Sequence, residues 1–232
     1  MNVDQAEINK FSVLAHQWWC EDGEFRTLHQ VNPLRVEFIE ECGGELYALD
    51  IADIGCGGGI LAEALAKKGA VVTGLDLSEE SLSVAKLHLL ESNLSIRYLK
   101  KTVESFAQNE PQSFDIVTCM EMLEHVPYPE SIIQSCAELC KSNGWVFFST
   151  LNRNLKSFAL SIIMAEYVMG LIPKGTHEYN KYIKPLELIN TASSYGLKVI
   201  KIKGVHYNPL TKKLTMGENA DVNYIAAFKK ES

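Results

Sequence analysis

The stretch that most constrains the fold is Leu49-Asp50-Ile51-Ala52-Asp53-Ile54-Gly55-Cys56-Gly57-Gly58-Gly59-Ile60. An apolar run that ends in an acid and breaks into glycines reads as a buried parallel strand whose carboxyl end stops in a tight turn. A helix follows, with Leu61, Leu65 and Ala66 on one face and Lys67, Lys68 and Gly69 closing it. Val71-Val72-Thr73-Gly74-Leu75-Asp76 is then a second strand ending in a carboxylate. Strand, glycine turn, helix and strand in that order predict an α/β domain. The glycines leave room for a ligand to approach the backbone.

Two ligand classes compete for such a loop. The dinucleotide fingerprint G-x-G-x-x-G has Gly55 and Gly57 but meets Ile60 where its third glycine belongs. Asp53 in front and the tripled Gly57-Gly58-Gly59 instead match the E/D-x-G-x-G pattern of class I methyltransferases, which bind S-adenosylmethionine. Asp76 suits the two ribose hydroxyls of either ligand, so the loop and not this acid separates them.

The 232 residues fit one α/β domain, with no linker, repeat or low-complexity segment. A formal charge of −7 and no basic cluster argue against a nucleic-acid partner. The six cysteines form no CxxC pair and read as free thiols of a reducing cytosol. The first ten residues lack an apolar core, so no signal peptide is expected.

Ile8, Phe11, Leu14, Ala15, Trp18 and Trp19 recur at helical spacing over residues 4–19 and predict an amphipathic helix, either covering core or capping the cofactor. Asn32-Pro33-Leu34-Arg35 reads as the opening of a second helix, with Pro33 in its first turn. Arg35 is a candidate clamp for the cofactor's methionyl carboxylate; an isolated arginine is equally a solvated charge. Residues 96–99 and 114–120 read as the third and fourth strands, with Thr102-Val103-Glu104 on the adenine side.

The densest chemistry lies in Met120-Glu121-Met122-Leu123-Glu124-His125-Val126-Pro127. On a helical turn Glu121, Glu124 and His125 share a face. Such a set offers a divalent cation such as Mg2+ its ligands, or His125 serves as general base, or the side chains brace a turn. After a helix over 131–140, a turn at Asn143-Gly144 and a fifth strand over 145–150, the alternation stops. Residues 151–184 are an apolar insertion, too short to span a bilayer and flanked by Arg153, Lys156 and Lys174. It reads as a lid, a headgroup-level segment, or a helix packed within the domain or at a dimer contact. A helix over 185–195 and strands over 197–205 and 222–228 follow, with 206–209 and 216–219 read as loops.

Taken together, Asn32-Pro33-Leu34-Arg35, the Asp53–Gly59 loop, Cys119–Val126, Ser149-Thr150-Leu151-Asn152-Arg153-Asn154, Pro173-Lys174-Gly175-Thr176-His177 and His206-Tyr207-Asn208-Pro209 resemble the bacterial ubiquinone-biosynthesis O-methyltransferases over residues 4–228. The resemblance implies a Rossmann-like class I methyltransferase fold: a seven-stranded, mostly parallel sheet with helices on both faces, a helical cap over 1–45 and the apolar insertion after strand five. It implies methylation of phenolic oxygens on polyprenylated catechol and quinol rings at two steps of ubiquinone synthesis. Its cofactor contacts fall on Arg35, Gly55, Gly57, Asp76 and Met120, its metal site on Glu121, Glu124 and His125. A cytoplasmic protein at the inner face of an anionic membrane, in company with other enzymes of the pathway, is the matching expectation. The alternatives are a nicotinamide-dependent oxidoreductase and a non-catalytic lipid- or partner-binding member of a biosynthetic complex.

Overall fold

The computed structural model describes residues 2–154, 157, 179–208, 210–211 and 213–232. Residues 155–156 and 158–178 of the expected insertion therefore lie outside the described residues.

The apolar runs form one sheet. Strands β1 (Asp50–Ile54), β2 (Val71–Asp76), β3 (Ile96–Lys100), β4 (Phe114–Met120) and β5 (Cys140–Leu151) are parallel, and β6 (Leu197–Asn208), β7 (Lys213–Gly217) and β8 (Asn223–Lys230) add antiparallel pairings. Their order is β3-β2-β1-β4-β5-β8-β6-β7. The chain starts in the middle and reverses between β1 and β4, the point at which open α/β sheets bind ligands.

Eight strands are present where seven were expected. Residues 206–208 continue β6 and pair with β7, so the stretch read as loops is a hairpin at the sheet edge. Lys213-Leu214-Thr215-Met216-Gly217 carries one cation and few apolar residues, the composition of a short edge strand that periodicity does not single out. Asn143-Gly144 also falls inside β5, where register jumps from Phe114↔Cys140 to Ile116↔Trp145.

Both faces of the central strands are buried, which explains their unbroken apolar sequences. On β5, adjacent Phe147 and Phe148 are both fully buried and point to opposite faces. Phe147 meets Phe38 edge-on at 6.0 Å, and Phe148 meets Phe228 at 5.8 Å. Each ring removes apolar area worth about 1.5–3 kcal/mol. One face is covered by α2 (Arg26–Gly43), α3 (Ile60–Lys67) and α4 (Glu79–Ser92), the other by α5 (Val103–Asn109), α6 (Pro129–Leu139) and α7 (Pro185–Ser194).

The N-terminal segment departs from the expected single helix. Helix α1 spans Gln5–Leu14, capped by Asp4, whose carboxylate accepts from the amides of Ala6 and Glu7. A 3-10 turn over Ala15–Gln17 then redirects the chain, so Trp18 and Trp19 leave the helical face. Pro33 is also not at a helix start: α2 begins seven residues earlier, at Arg26. Its missing N–H costs one helical hydrogen bond. Burial of Val31, Val36, Phe38 and Ile39 holds the helix through it.

Candidate active site

The glycine loop joins β1 to α3 and is tied to β2, because the amides of Gly55 and Cys56 both donate to the Leu75 carbonyl. Gly55, Gly57 and Gly59 have φ of +72°, +52° and +86°, conformations that L side chains rarely adopt. Space beside them is taken by the protein itself. A Cβ at Gly55 would meet the Met122 thioether at 2.9 Å, one at Gly57 the Trp18 indole at 2.5 Å, and those at Gly58 and Gly59 would strike Trp18 and the Tyr98 hydroxyl.

Asp76 ends β2 beside this loop. Its Oδ2 accepts from the Gly57 amide and its Oδ1 from the Ser78 amide, both at 2.8 Å. Each oxygen retains a lone pair, the acceptor set that a vicinal diol needs. Burial raises the carboxyl pKa, and the backbone donors hold it down in part. Asp53 lies deeper, accepting from Thr118 Oγ1 at 2.7 Å. Burial pushes its pKa up to about 7, against the pull of Thr118 and of the Arg35 charge. The acid that marks the loop in sequence thus serves its interior.

Arg35 is buried on α2, not solvated. Its Nη2 lies 3.3 Å from Glu121 Oε1. Met120 is buried at the end of β4, opposite Ser149 on β5. Glu121 follows with φ +52°; its amide donates to the Ser149 carbonyl, and Ser149 Oγ donates to Glu121 Oε1 at 2.7 Å. Glu124 is buried and accepts from Thr150 Oγ1 at 2.8 Å. Burial, then the neighbouring Glu121 charge, raises its pKa to about 7.

His125 Nδ1 points elsewhere, to Glu7 Oε2 on α1 at 2.7 Å, with the Phe11 ring edge-on at 5.3 Å. Burial pulls the imidazole pKa down, but the Glu7 hydrogen bond and the charges of Glu124 and Glu7 outweigh it, and the net shift is upward. The expected shared face of Glu121, Glu124 and His125 is not formed. The turn is a single 3-10 turn over Leu123–His125 that starts after Glu121, and the left-handed Glu121 backbone diverts its side chain to Arg35 and Ser149. The three groups are chemically suited to a divalent cation, yet as arranged each serves partners of its own: Arg35 and Ser149 for Glu121, Thr150 for Glu124 and Glu7 for His125. Among the described residues no group of three or more His, Cys, Asp or Glu could hold a metal ion.

Sequence reasoning gave Glu7, Ser81, Ser149 and Thr150 no role in the site, although Ser149 and Thr150 stand in one of the motifs that carry the resemblance. Ser149 and Thr150 sit at the carboxyl end of a central strand, the edge where ligands bind, and that position was readable. The long-range partners Glu7 and Ser81 left no local signal. Thr102 caps α5, and Glu104 Oε1 accepts from Asn2 and Ser131, so these two residues on the expected adenine side have structural partners.

Residues 52–148 match the family model described as a methyltransferase domain. A ubiquinone biosynthesis O-methyltransferase of Nitrosomonas europaea is 56% identical over 229 residues, covering 99% of this chain and 97% of that protein. Its counterpart in Nitrosospira multiformis is 53% identical, with 99% and 95% covered. Among solved structures, magnesium protoporphyrin IX methyltransferase from Synechocystis with bound SAH has a TM-score of 0.65 at 20% identity, covering 88% of this chain and 83% of that one. A SAM-dependent methyltransferase from Thermotoga maritima has a TM-score of 0.66 at 18% identity, with 93% and 94% covered. These two likenesses bear on the fold.

Proposed function

The chain belongs to the ubiquinone biosynthesis O-methyltransferase family, and from that premise we propose how its site works and on what. It is an S-adenosylmethionine-dependent O-methyltransferase of ubiquinone biosynthesis; the oxidoreductase and non-catalytic alternatives find no support in its relatives. The acceptors are phenolic hydroxyls of polyprenylated catechol and quinol rings, at two steps of the pathway.

S-adenosylmethionine supplies a methyl group on a sulfonium, already bonded to a good leaving group. Asp76 takes the ribose hydroxyls, Gly55 and Gly57 line the loop beneath, Met120 supplies apolar contact, and Arg35 turns its remaining guanidinium donors to the methionyl carboxylate. Orientation of the acceptor and exclusion of water do most of the work. A phenol has a pKa near 10, so few molecules are nucleophilic at neutral pH without a base.

The observation that carries the base assignment is the His125–Glu7 contact. A carboxylate only accepts, so Nδ1 carries the hydrogen and Nε2 is left to take the phenol proton. Methyl transfer to a short-chain polyprenyl catechol tests the reading: activity in the wild type and its loss in His125→Ala are expected, and an active His125→Ala enzyme would remove His125 from the role.

A Mg2+ requirement rests only on the donor chemistry of Glu121, Glu124 and His125. Loss of activity on chelation, restored by Mg2+, would support it, and full activity after exhaustive chelation would remove it. No helix among the described residues is long and apolar enough to cross a membrane. The apolar character of residues 158–172 and their basic flanks support reversible binding to an anionic membrane surface near the other enzymes of the pathway. Flotation with anionic liposomes that withstands charge substitutions at Phe158 and Ile163 would count against it.

A further inference from the structure

The glycine loop is gripped from outside by two indoles. Trp18 lies against Gly57 and Gly58, so close that neither position has space for a Cβ. Its own place is fixed three ways: Nε1 donates to Ser81 Oγ at 3.1 Å, the ring stacks on Phe25 at 3.9 Å, and its carbonyl bonds His29 Nε2 at 2.8 Å. Trp19 Nε1 donates to the Gly58 carbonyl at 2.9 Å. Its ring stacks on His88 at 3.4 Å, and His88 Nδ1 bonds the fully buried Glu63 at 2.7 Å. Glu63 stands in the first turn of α3, just beyond the loop. Both indoles are thus anchored to α4, and through Glu63 to the helix that the loop leads into.

A loop with three left-handed glycines has many alternative conformations, and ordering it on binding costs affinity. We propose that Trp18 and Trp19 are positioning residues that hold the cofactor loop in its binding conformation, so that the N-terminal segment sets affinity for S-adenosyl compounds by acting through Gly57 and Gly58. The inference rests on this loop taking the cofactor. Simple core packing by the same indoles would change stability and leave affinity alone.

Trp19→Phe retains the ring over His88 and removes the donor to Gly58. Ser81→Ala removes one of the three holds on Trp18, the indole's hydrogen bond, without altering the loop. Calorimetric titration of the full chain with S-adenosylhomocysteine is expected to show about 3- to 10-fold weaker binding in Trp19→Phe, the net effect of one hydrogen bond, and a smaller loss in Ser81→Ala. In turnover the change falls on KM for S-adenosylmethionine and not on kcat. Wild-type affinity in both variants, with or without a lowered melting temperature, overturns the proposal. Should Trp19→Phe fail to fold, Ser81→Ala decides alone: weakened binding supports the proposal and wild-type affinity overturns it. Absence of binding to the wild type overturns the cofactor reading of the loop, and the proposal with it. Only three tryptophans are present, so Trp145→Phe leaves Trp18 and Trp19 as the sole indoles. Their emission is expected to change on saturation with S-adenosylhomocysteine, and unaltered emission counts against a grip coupled to the cofactor.

Discussion

His125 Nδ1 and Glu7 Oε2 are 2.7 Å apart although 118 residues separate them in the chain. The imidazole in the 3-10 turn after β4 is therefore oriented by a carboxylate from the N-terminal helix. The pair shifts both groups toward their charged forms: the His125 hydrogen bond lowers the Glu7 carboxyl pKa, and the His125 pKa ends above its ordinary value.

For catalysis the sign is clear. A base must be neutral, so the raised His125 pKa sets an acid limb on the rate, and Glu7→Gln is expected to move that limb to lower pH. His125→Ala should lose about 10²- to 10⁴-fold in turnover. A pH profile of kcat/KM with a short-chain catechol checks both, and an unmoved limb in Glu7→Gln would detach the pair from the chemistry.

For stability the two members of the pair have opposite limits. The contribution from His125, whose pKa is raised, is complete below its unfolded value and disappears as pH rises through the folded one. The contribution from Glu7, whose pKa is lowered, is present above its unfolded value near 4.5 and disappears as pH falls through the folded one. Denaturant midpoints of the wild type and Glu7→Gln should differ most between these limits.

Glu124 behaves in the reverse sense. Its carboxyl is raised from 4.5 to about 7, so the folded state holds a proton that the unfolded state has released. Stability from this site is full below pH 4.5 and falls as pH rises toward 7. Glu124→Gln preserves shape without the charge and should flatten that decline, gaining about 1–3 kcal/mol at pH 8 relative to its effect at pH 4. Parallel urea unfolding at the two pH values measures it.

Asp76→Asn keeps the side-chain volume while losing charge and one acceptor. Hydrogen bonds to a charged group contribute about 1.5–3 kcal/mol, so affinity for S-adenosylhomocysteine should fall roughly 10- to 100-fold. Calorimetry giving wild-type affinity would reassign the ribose contact. The amides of Gly57 and Ser78 also lose their ionised partner, so a modest fall in melting temperature accompanies the change.

The central half of this fold was legible because its signals are local. Gly55 to Gly59, the run from Val71 to Asp76 and the apolar strand ending at Met120 each state their role within a dozen residues. Where the reading failed, the deciding partner was distant or the periodicity weak. Pro33 reads as a helix start because proline favours first turns, and burial of Val36, Phe38 and Ile39 overrode that preference. The spacing of Glu121, Glu124 and His125 suggested one cluster. Their partners, Arg35, Thr150 and Glu7, lie on three other elements and send each side chain its own way. The glycines read as leaving room for a ligand to approach the backbone; in the Cβ direction of Gly57, Gly58 and Gly59 the neighbours are Trp18 and Tyr98.

That last contact separates backbone strain from steric clash. Gly196 and Gly59 both have positive φ, +72° and +86°, but a Cβ at Gly196 meets only Lys230 Nζ at 3.4 Å, whereas one at Gly59 runs into the Tyr98 hydroxyl. Gly196→Ala should therefore cost about 1–2 kcal/mol from left-handed strain, and Gly59→Ala roughly 1–3 kcal/mol more from overpacking. The Tyr98 hydroxyl is buried and makes no hydrogen bond among the described residues, so Tyr98→Phe alone should be neutral or mildly stabilising. Combined with Gly59→Ala it removes the atom nearest the new methyl. A double-mutant cycle on urea midpoints should return a favourable coupling of about 1 kcal/mol. Strict additivity would mean that the loop backbone, not the ring behind it, absorbs the added carbon.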